Sequence, residues 1–193
     1  MVLSKNMQKL VAGSSTIRKL FEEGIELAKE VGAENVYDFS LGNPAAPVPE
    51  EVKKSIYDIL ENRNANFVHC YMPNAGYPEV REKVAANLNK KYNSSFTKDD
   101  IIMTVGAAGG INCVLRSLLE PEDEVLCFAP FFGEYNSYVM NFGGNLKVVP
   151  ADYETFQLNV EEADKYITER TKAVIINNPN NPSGVVYNKE TLI

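Results

Sequence analysis

At 193 residues with 45% hydrophobic content, the chain is long enough to bury a core and to form one or two domains. Its 26 acidic residues against 19 basic give a net charge of −7, which argues against nucleic acid or an anionic membrane as the main partner. No apolar run approaches the ~20 residues of a membrane span, and the opening "MVLSKNMQKLVAGSS" lacks a signal-peptide pattern, so a cytoplasmic protein is expected. Cys70, Cys113 and Cys127 are widely spaced with no C-x-x-C; they read as reduced, mostly buried thiols.

The first element is a helix in "SSTIRKLFEEGIELAKEVG", capped by Ser14 or Ser15 and ended by Gly32, with Ile17, Leu20, Phe21, Ala28 and Val31 as its apolar stripe. The extended piece "VYDFSLGNP" follows, then proline-rich chain to Pro49, which suits the first position of a second helix. That helix, "EEVKKSIYDILEN", is expected to bury Val52, Ile56 and Ile59. The loop "FVHCYMPNAGYP" leads to a proline-started helix carrying Val80, Val84 and Leu88. From residue 101 strands and helices alternate. "IIMTV", "EVLCF", "KVVP" and "KAVII" read as strands; "AAGGINCVLRSLL", "FGEYNSYVMNFGG" and "NVEEADKYIT" read as the helices between them. This alternation predicts an α/β fold: a mostly parallel sheet with helices on both faces, its strands apolar as fully buried strands are. "NKETLI" reads as the first turn of a further helix, so the chain is expected to be part of a longer protein.

In an open parallel sheet, ligands bind at the carboxyl ends of the strands, and three segments there have unusual compositions. In "TVGAAGGIN", Gly109 and Gly110 each cost a helix about 1 kcal/mol relative to alanine, so they need a reason. Two are available: close packing of helix on strand, or a phosphate seat made by free N–H groups at a helix start. The segment is neither a P-loop nor G-x-G-x-x-G. In "FAPFFGEY", Pro130 turns the chain out of the strand and leaves Phe131 and Phe132 near the rim, where one could stack on a planar ring or both could be core. "NNPNNPSG", Asn177 to Gly184, could be no more than a turn, or a proline-fixed mount for an amide donor at Asn181; Asn181–Pro182 is a candidate cis bond. Together the segments suit a phosphorylated, planar, oxygen-bearing aromatic ligand.

With "DFSLGNP", "YMPNAGYPEVREKVA", "GAAGGIN", "LLEPEDEVLCFAPFFGEY" and "ERTKAVIINNPNNPSGVVY" in this order, the chain resembles the class I pyridoxal-phosphate-dependent aminotransferases of the aspartate aminotransferase fold type. The resemblance implies the N-terminal half of such an enzyme. Residues 1–47 would be an N-terminal arm and part of a small domain; residues 48–193 would begin the large three-layer α/β/α domain that binds pyridoxal 5'-phosphate. It implies that Ala107 and Ala108 hold the cofactor phosphate, that Phe132 stacks on its ring and that Asn181 bonds its phenolic oxygen. Gly42 would meet the α-carboxylate of the substrate, and Tyr71 would reach the phosphate of a neighbouring subunit in a homodimer. The family often has a hydroxyl residue near the glycine turn, and none stands at the matching place here.

The implied activity is transfer of an amino group from an L-amino acid, with aspartate favoured, to a 2-oxo acid. The family's Schiff-base lysine, its aspartate on the pyridine nitrogen and its substrate-clamping arginine all fall beyond residue 193, and no lysine here stands in the lysine motif. The chain by itself is therefore expected to be inactive, with no catalytic residue of its own. A β-lyase of the same fold shares every motif above, and a non-catalytic aminotransferase-like binding module is the rival from another class. His69, the single histidine, cannot form a dyad with its neighbour Cys70, because adjacent side chains in extended chain point apart. One histidine and three dispersed cysteines make no metal ligand set. Arg18 reads as a solvated helix arginine, with substrate contact as its alternative role.

Overall fold

The computed structural model describes residues 2–4, 7–8, 11, 16–39, 42 and 46–193. Ser14 and Ser15, the expected cap, lie outside the described residues, as do Ser40, Leu41, Asn43 and Pro44 of "DFSLGNP". Two compact units divide the chain, Met1–Cys70 and Tyr71–Ile193.

The first unit is helical. Its helix Thr16–Val31 stops at Gly32, whose φ of 90° an L side chain resists. Helix Glu50–Asn62 follows Pro49, which stands just outside the helix as its cap and not at its first position, and a single turn, Ala65–Val68, is capped by the Asn64 side chain. The expected burial of Val52, Ile56 and Ile59 is not found: they are 42–53% exposed. In the stripe of the first helix Phe21 and Ala28 are half-buried, and Leu20 and Val31 are exposed. Periodicity identifies the face a helix offers to a core, and it does not supply the partner that covers it.

In the second unit, helix Pro78–Tyr92 starts on a proline and ends at Asn93 in the left-handed region, with Glu79 in its first turn and Lys90 and Lys91 in its last, the arrangement the helix dipole favours. Among the described residues the sheet has three parallel strands in the order β2-β1-β3: β1 Glu124–Phe128, β2 Asn145–Val149 and β3 Thr171–Ile175. All of β1 is buried because it is the central strand. Its alternating side chains feed two cores. Val125 packs with Leu115, Leu119 and Val139, from helices Gly106–Leu118 and Glu134–Met140 and the residue after the first of them. Leu126 and Phe128 pack on the other face with Val149, Leu158, Ala163 and Tyr187. Val125, Leu126, Val139 and Val149 are at most 1% exposed, and each contributes about 1.5–3 kcal/mol by leaving water.

Two strand expectations need correction. β3 alternates half-buried with exposed residues, and Val174 is 48% exposed, because β3 is an edge of the described sheet. "IIMTV" is extended but joins no ladder among the described residues: Met103 N–H donates to Ala75 C=O at 2.9 Å, with Gly76 seated against the Met103 side chain. The helix expected in "NVEEADKYIT" is reduced to Val160–Ala163. Of the three thiols, only Cys127 is buried; Cys70 and Cys113 are exposed.

Candidate functional site

Helix Gly106–Leu118 begins where the Thr104 hydroxyl donates to Gly106 C=O at 3.0 Å. Gly106 holds φ 67°, and a Cβ built there would meet nothing within 4 Å, so open space lies before the helix. Ala107 and Ala108 are exposed, and their N–H groups are among those a helix start cannot pair internally. Gly110 packs closely on the preceding residues, since a Cβ on it would come within 3.2 Å of Thr104 Oγ1.

β1 ends at Phe128, and Pro130 turns the chain outward. Phe131 and Phe132 are half-buried against Tyr135: the Phe131 ring lies nearly parallel to it at 6.5 Å, and the Phe132 ring meets it edge-on at 5.7 Å. Burial pushes the Tyr135 and Tyr187 hydroxyls above their ordinary pKa and the Cys127 thiol up to about 12. All three groups are therefore neutral at pH 7 and add no charge of their own, while the exposed Glu134 stands two residues after Phe132.

The asparagine run follows β3, the parallel neighbour of β1. Asn177 Oδ1 accepts from Asn181 N–H at 3.0 Å, and Asn178 Oδ1 accepts from Tyr187 N–H at 3.0 Å. Asn180 Oδ1 accepts from the Ser183 N–H and hydroxyl, at 3.1 and 2.8 Å. Gly184, with φ 73°, closes the turn by donating to Asn180 C=O at 2.8 Å. The side chain of Asn181 is exposed and makes no hydrogen bond among the described residues. Three asparagines thus brace a turn that leaves the fourth free. Peptide bonds 129–130, 178–179 and 181–182, each preceding a proline, are cis.

The parallel pairing of β1 with β3 brings the Phe132 loop and the Asn181 turn to the same sheet end, where Asn180 Nδ2 donates to Pro130 C=O at 3.2 Å. Helix Gly106–Leu118 packs against the sheet through a core that includes Ile111, Leu115, Val125 and Ile175. Ala107 and Ala108 stand in its first turn. Tyr71 is fully exposed at the beginning of the second unit. Gly42 is exposed in the first unit, with space around it for a side chain.

The void between Phe131, Asn177, Asn180 and Tyr187 is about 10 Å³, room for one water at most. A larger open groove of about 620 Å³ runs between Asp152, Glu161, Glu190 and Ile193. Three carboxylates there would repel a phosphate, so electrostatics favours the strand ends as an anion seat although the groove is bigger. The sequence signalled Asn181 through its neighbours but gave Asn177, Asn178 and Asn180 no separate roles, because a run of like residues does not reveal which side chains turn inward.

A family model for aminotransferase class I and II matches residues 33–193. The chain is 37% identical over 195 residues to aromatic-amino-acid aminotransferase 2 of Thermococcus litoralis, covering 100% of this chain and 47% of that protein. It is 35% identical over 168 residues to a probable aspartate/prephenate aminotransferase of Aquifex aeolicus, covering 86% of this chain and 42% of that one. Among solved structures, an aminotransferase from Eubacterium rectale superposes with a TM-score of 0.94 at 40% identity, and a Thermus thermophilus aspartate aminotransferase mutant with 0.86 at 31%; each match covers 100% of this chain and 48% of the other. The chain thus spans just under half the length of these relatives. Its parallel sheet with helices on both faces is a partial copy of their three-layer α/β/α fold. It belongs to the class I and II aminotransferase family.

Proposed function

We propose that the protein of which this chain forms part is a pyridoxal-phosphate-dependent aminotransferase that moves an amino group from an L-amino acid to a 2-oxo acid. Aspartate is the first donor to try, because aspartate aminotransferases of Thermotoga maritima and Pyrococcus abyssi are among the relatives. The observation that carries the reading is the free, exposed amide of Asn181 on a turn tied to the Phe132 loop.

The residues fit the coenzyme. The Ala107 and Ala108 N–H groups, with the helix dipole behind them, would hold the phosphate; the Phe132 ring would lie against the pyridine; Asn181 would donate to the phenolic oxygen. Bound there, pyridoxal phosphate would supply the electron sink for an amino acid's α-carbon. The task of these side chains is orientation and electrostatics, fixed before reaction begins. Gly42 would leave room for the substrate carboxylate. Tyr71 would serve the second subunit of a homodimer, which sedimentation of the intact protein tests.

The activity test is the intact protein with pyridoxal phosphate, aspartate and 2-oxoglutarate. Formation of glutamate supports the proposal. Release of ammonia without amino transfer would replace it with a lyase, and no reaction of any amino donor would overturn it. Residues 1–193 alone are predicted not to transaminate, because no lysine in them stands in the family's lysine motif. A single turnover by that chain would refute this.

A further inference from the structure

We infer that Asn180 is a positioning residue whose side-chain amide locks the turn bearing Asn181 to the loop bearing Phe132. The inference rests on the cofactor reading above. Asn180 is 7% exposed, whereas Pro179, Asn181 and Pro182 beside it are exposed. A buried amide is costly unless its donor and acceptor are both used, and here they are used in opposite directions. The oxygen holds the turn itself, through the Ser183 N–H and hydroxyl. The nitrogen crosses to Pro130 C=O, fifty residues earlier in the chain and two before Phe132.

The backbone of Asn180 adds a second pair of bonds, its N–H to Val185 C=O at 2.9 Å and its C=O from Gly184 N–H at 2.8 Å. Tyr187, itself 6% exposed, packs beside it in the core with Leu126 and Phe128. Asn180 is therefore tied both to its own turn and to the loop after β1, while the hydrogen bond of Asn181 next to it is its backbone N–H on Asn177 Oδ1. The Pro130 bond is the one side-chain hydrogen bond joining the two loops among the described residues. Breaking it should let the Asn181 donor drift from the ring that Phe132 orients, without removing either residue.

The test uses the intact protein loaded with pyridoxal phosphate and reads the midpoint of the coenzyme's pH-dependent visible absorbance. An N–H donor on the phenolic oxygen stabilises its anion, so weakening that donor raises the midpoint. Asn180→Asp keeps the acceptor for Ser183 and turns the Pro130 contact into two facing acceptors. It should raise the midpoint by a few tenths to about one pH unit, in the same direction as Asn181→Ala and by less. Ser183→Ala cuts two bonds inside the turn, to Asn180 Oδ1 and from Val185 N–H, and spares the Pro130 tie; it should lower the melting temperature and leave the midpoint in place. If Asn180→Asp does not fold, Asn180→Ala is read in the same way, with the same shift expected. An unmoved midpoint in the Asn180 variant, or an equal shift in Ser183→Ala, overturns the inference while the coenzyme reading stands. A wild-type protein that develops no visible absorbance overturns both.

Discussion

Gly110→Ala should be close to neutral in this protein, although the same change inside an exposed helix stabilises. Replacing glycine with alanine in a helix interior gains about 1 kcal/mol through propensity and a less disordered unfolded chain. Against this, the new methyl would lie 3.2 Å from Thr104 Oγ1, and the hydroxyl must retreat by a few tenths of an ångström. Its 3.0 Å bond to Gly106 C=O is stretched by that retreat, at a cost of about 0.5–1.5 kcal/mol if the bond is lost. The two effects cancel to within about 0.5 kcal/mol. In a Thr104→Ala background the obstruction is gone, and Gly110→Ala should stabilise by the full ~1 kcal/mol. Urea denaturation of the four proteins in this cycle measures the coupling, expected at about 1 kcal/mol. Equal stabilisation by Gly110→Ala in both backgrounds would show that the helix and Thr104 are not in tight contact, and that the glycine pair has some other cause.

Three further outcomes are expected. Asn181→Asp would set a carboxylate against the anionic oxygen and phosphate of the coenzyme; equilibrium titration should find pyridoxal phosphate bound at least tenfold more weakly, equivalent to about 1.4 kcal/mol. Unchanged affinity would remove Asn181 from the site. Cys127 should stay unlabelled by iodoacetamide at pH 8 until the protein unfolds, as peptide mass spectrometry will report, since burial holds its folded pKa near 12. Because that value is raised, the stability it contributes is complete below the unfolded thiol's ordinary value and falls as pH rises toward 12; a Cys127→Ala variant should lack that alkaline loss. Glu124 has the opposite sign. Its carboxyl is held below the usual range chiefly by the Thr168 hydroxyl at 2.6 Å, with Lys147 at 3.2 Å adding to it against the effect of desolvation. Its contribution is present above the ordinary glutamate value of about 4.3 and lost as pH falls, so melting temperatures should drop less steeply with acid in Glu124→Gln; parallel curves would refute this.

The sheet was legible where composition and burial agree. "EVLCF" is β1 residue for residue, because a central strand buried on both faces must be apolar throughout, and the polar Glu124 is tolerated at its start by Thr168 and Lys147. "IIMTV" is as apolar, yet Met103 bonds to Ala75 in a loop; a strand is a pairing, and residue types do not name the partner. Val52, Ile56 and Ile59 fail for the related reason that a stripe is only half of an interface. At the site, the strand-end positions of the Phe132 loop and the Asn181 turn followed from the βα alternation, whereas the segment before Ala107 is no strand among the described residues; assigning Ala107, Phe132 and Asn181 to one coenzyme came from resemblance to a family. The Asn180 strut was hidden in its own context: the string "NNPNN" contains the brace and the free donor as the same residue type, and only burial separates them.

The central claim is that the start of helix Gly106–Leu118, the Phe132 loop and the Asn181 turn hold one coenzyme between them. A crystal structure of the intact protein grown with pyridoxal phosphate tests it most directly. The account predicts phosphate oxygens on the N–H groups of Ala107 and Ala108, the ring against Phe132, and the Asn181 amide within hydrogen-bond distance of the phenolic oxygen. Coenzyme bound at any other surface, or these residues too far apart to touch a single molecule, would contradict it.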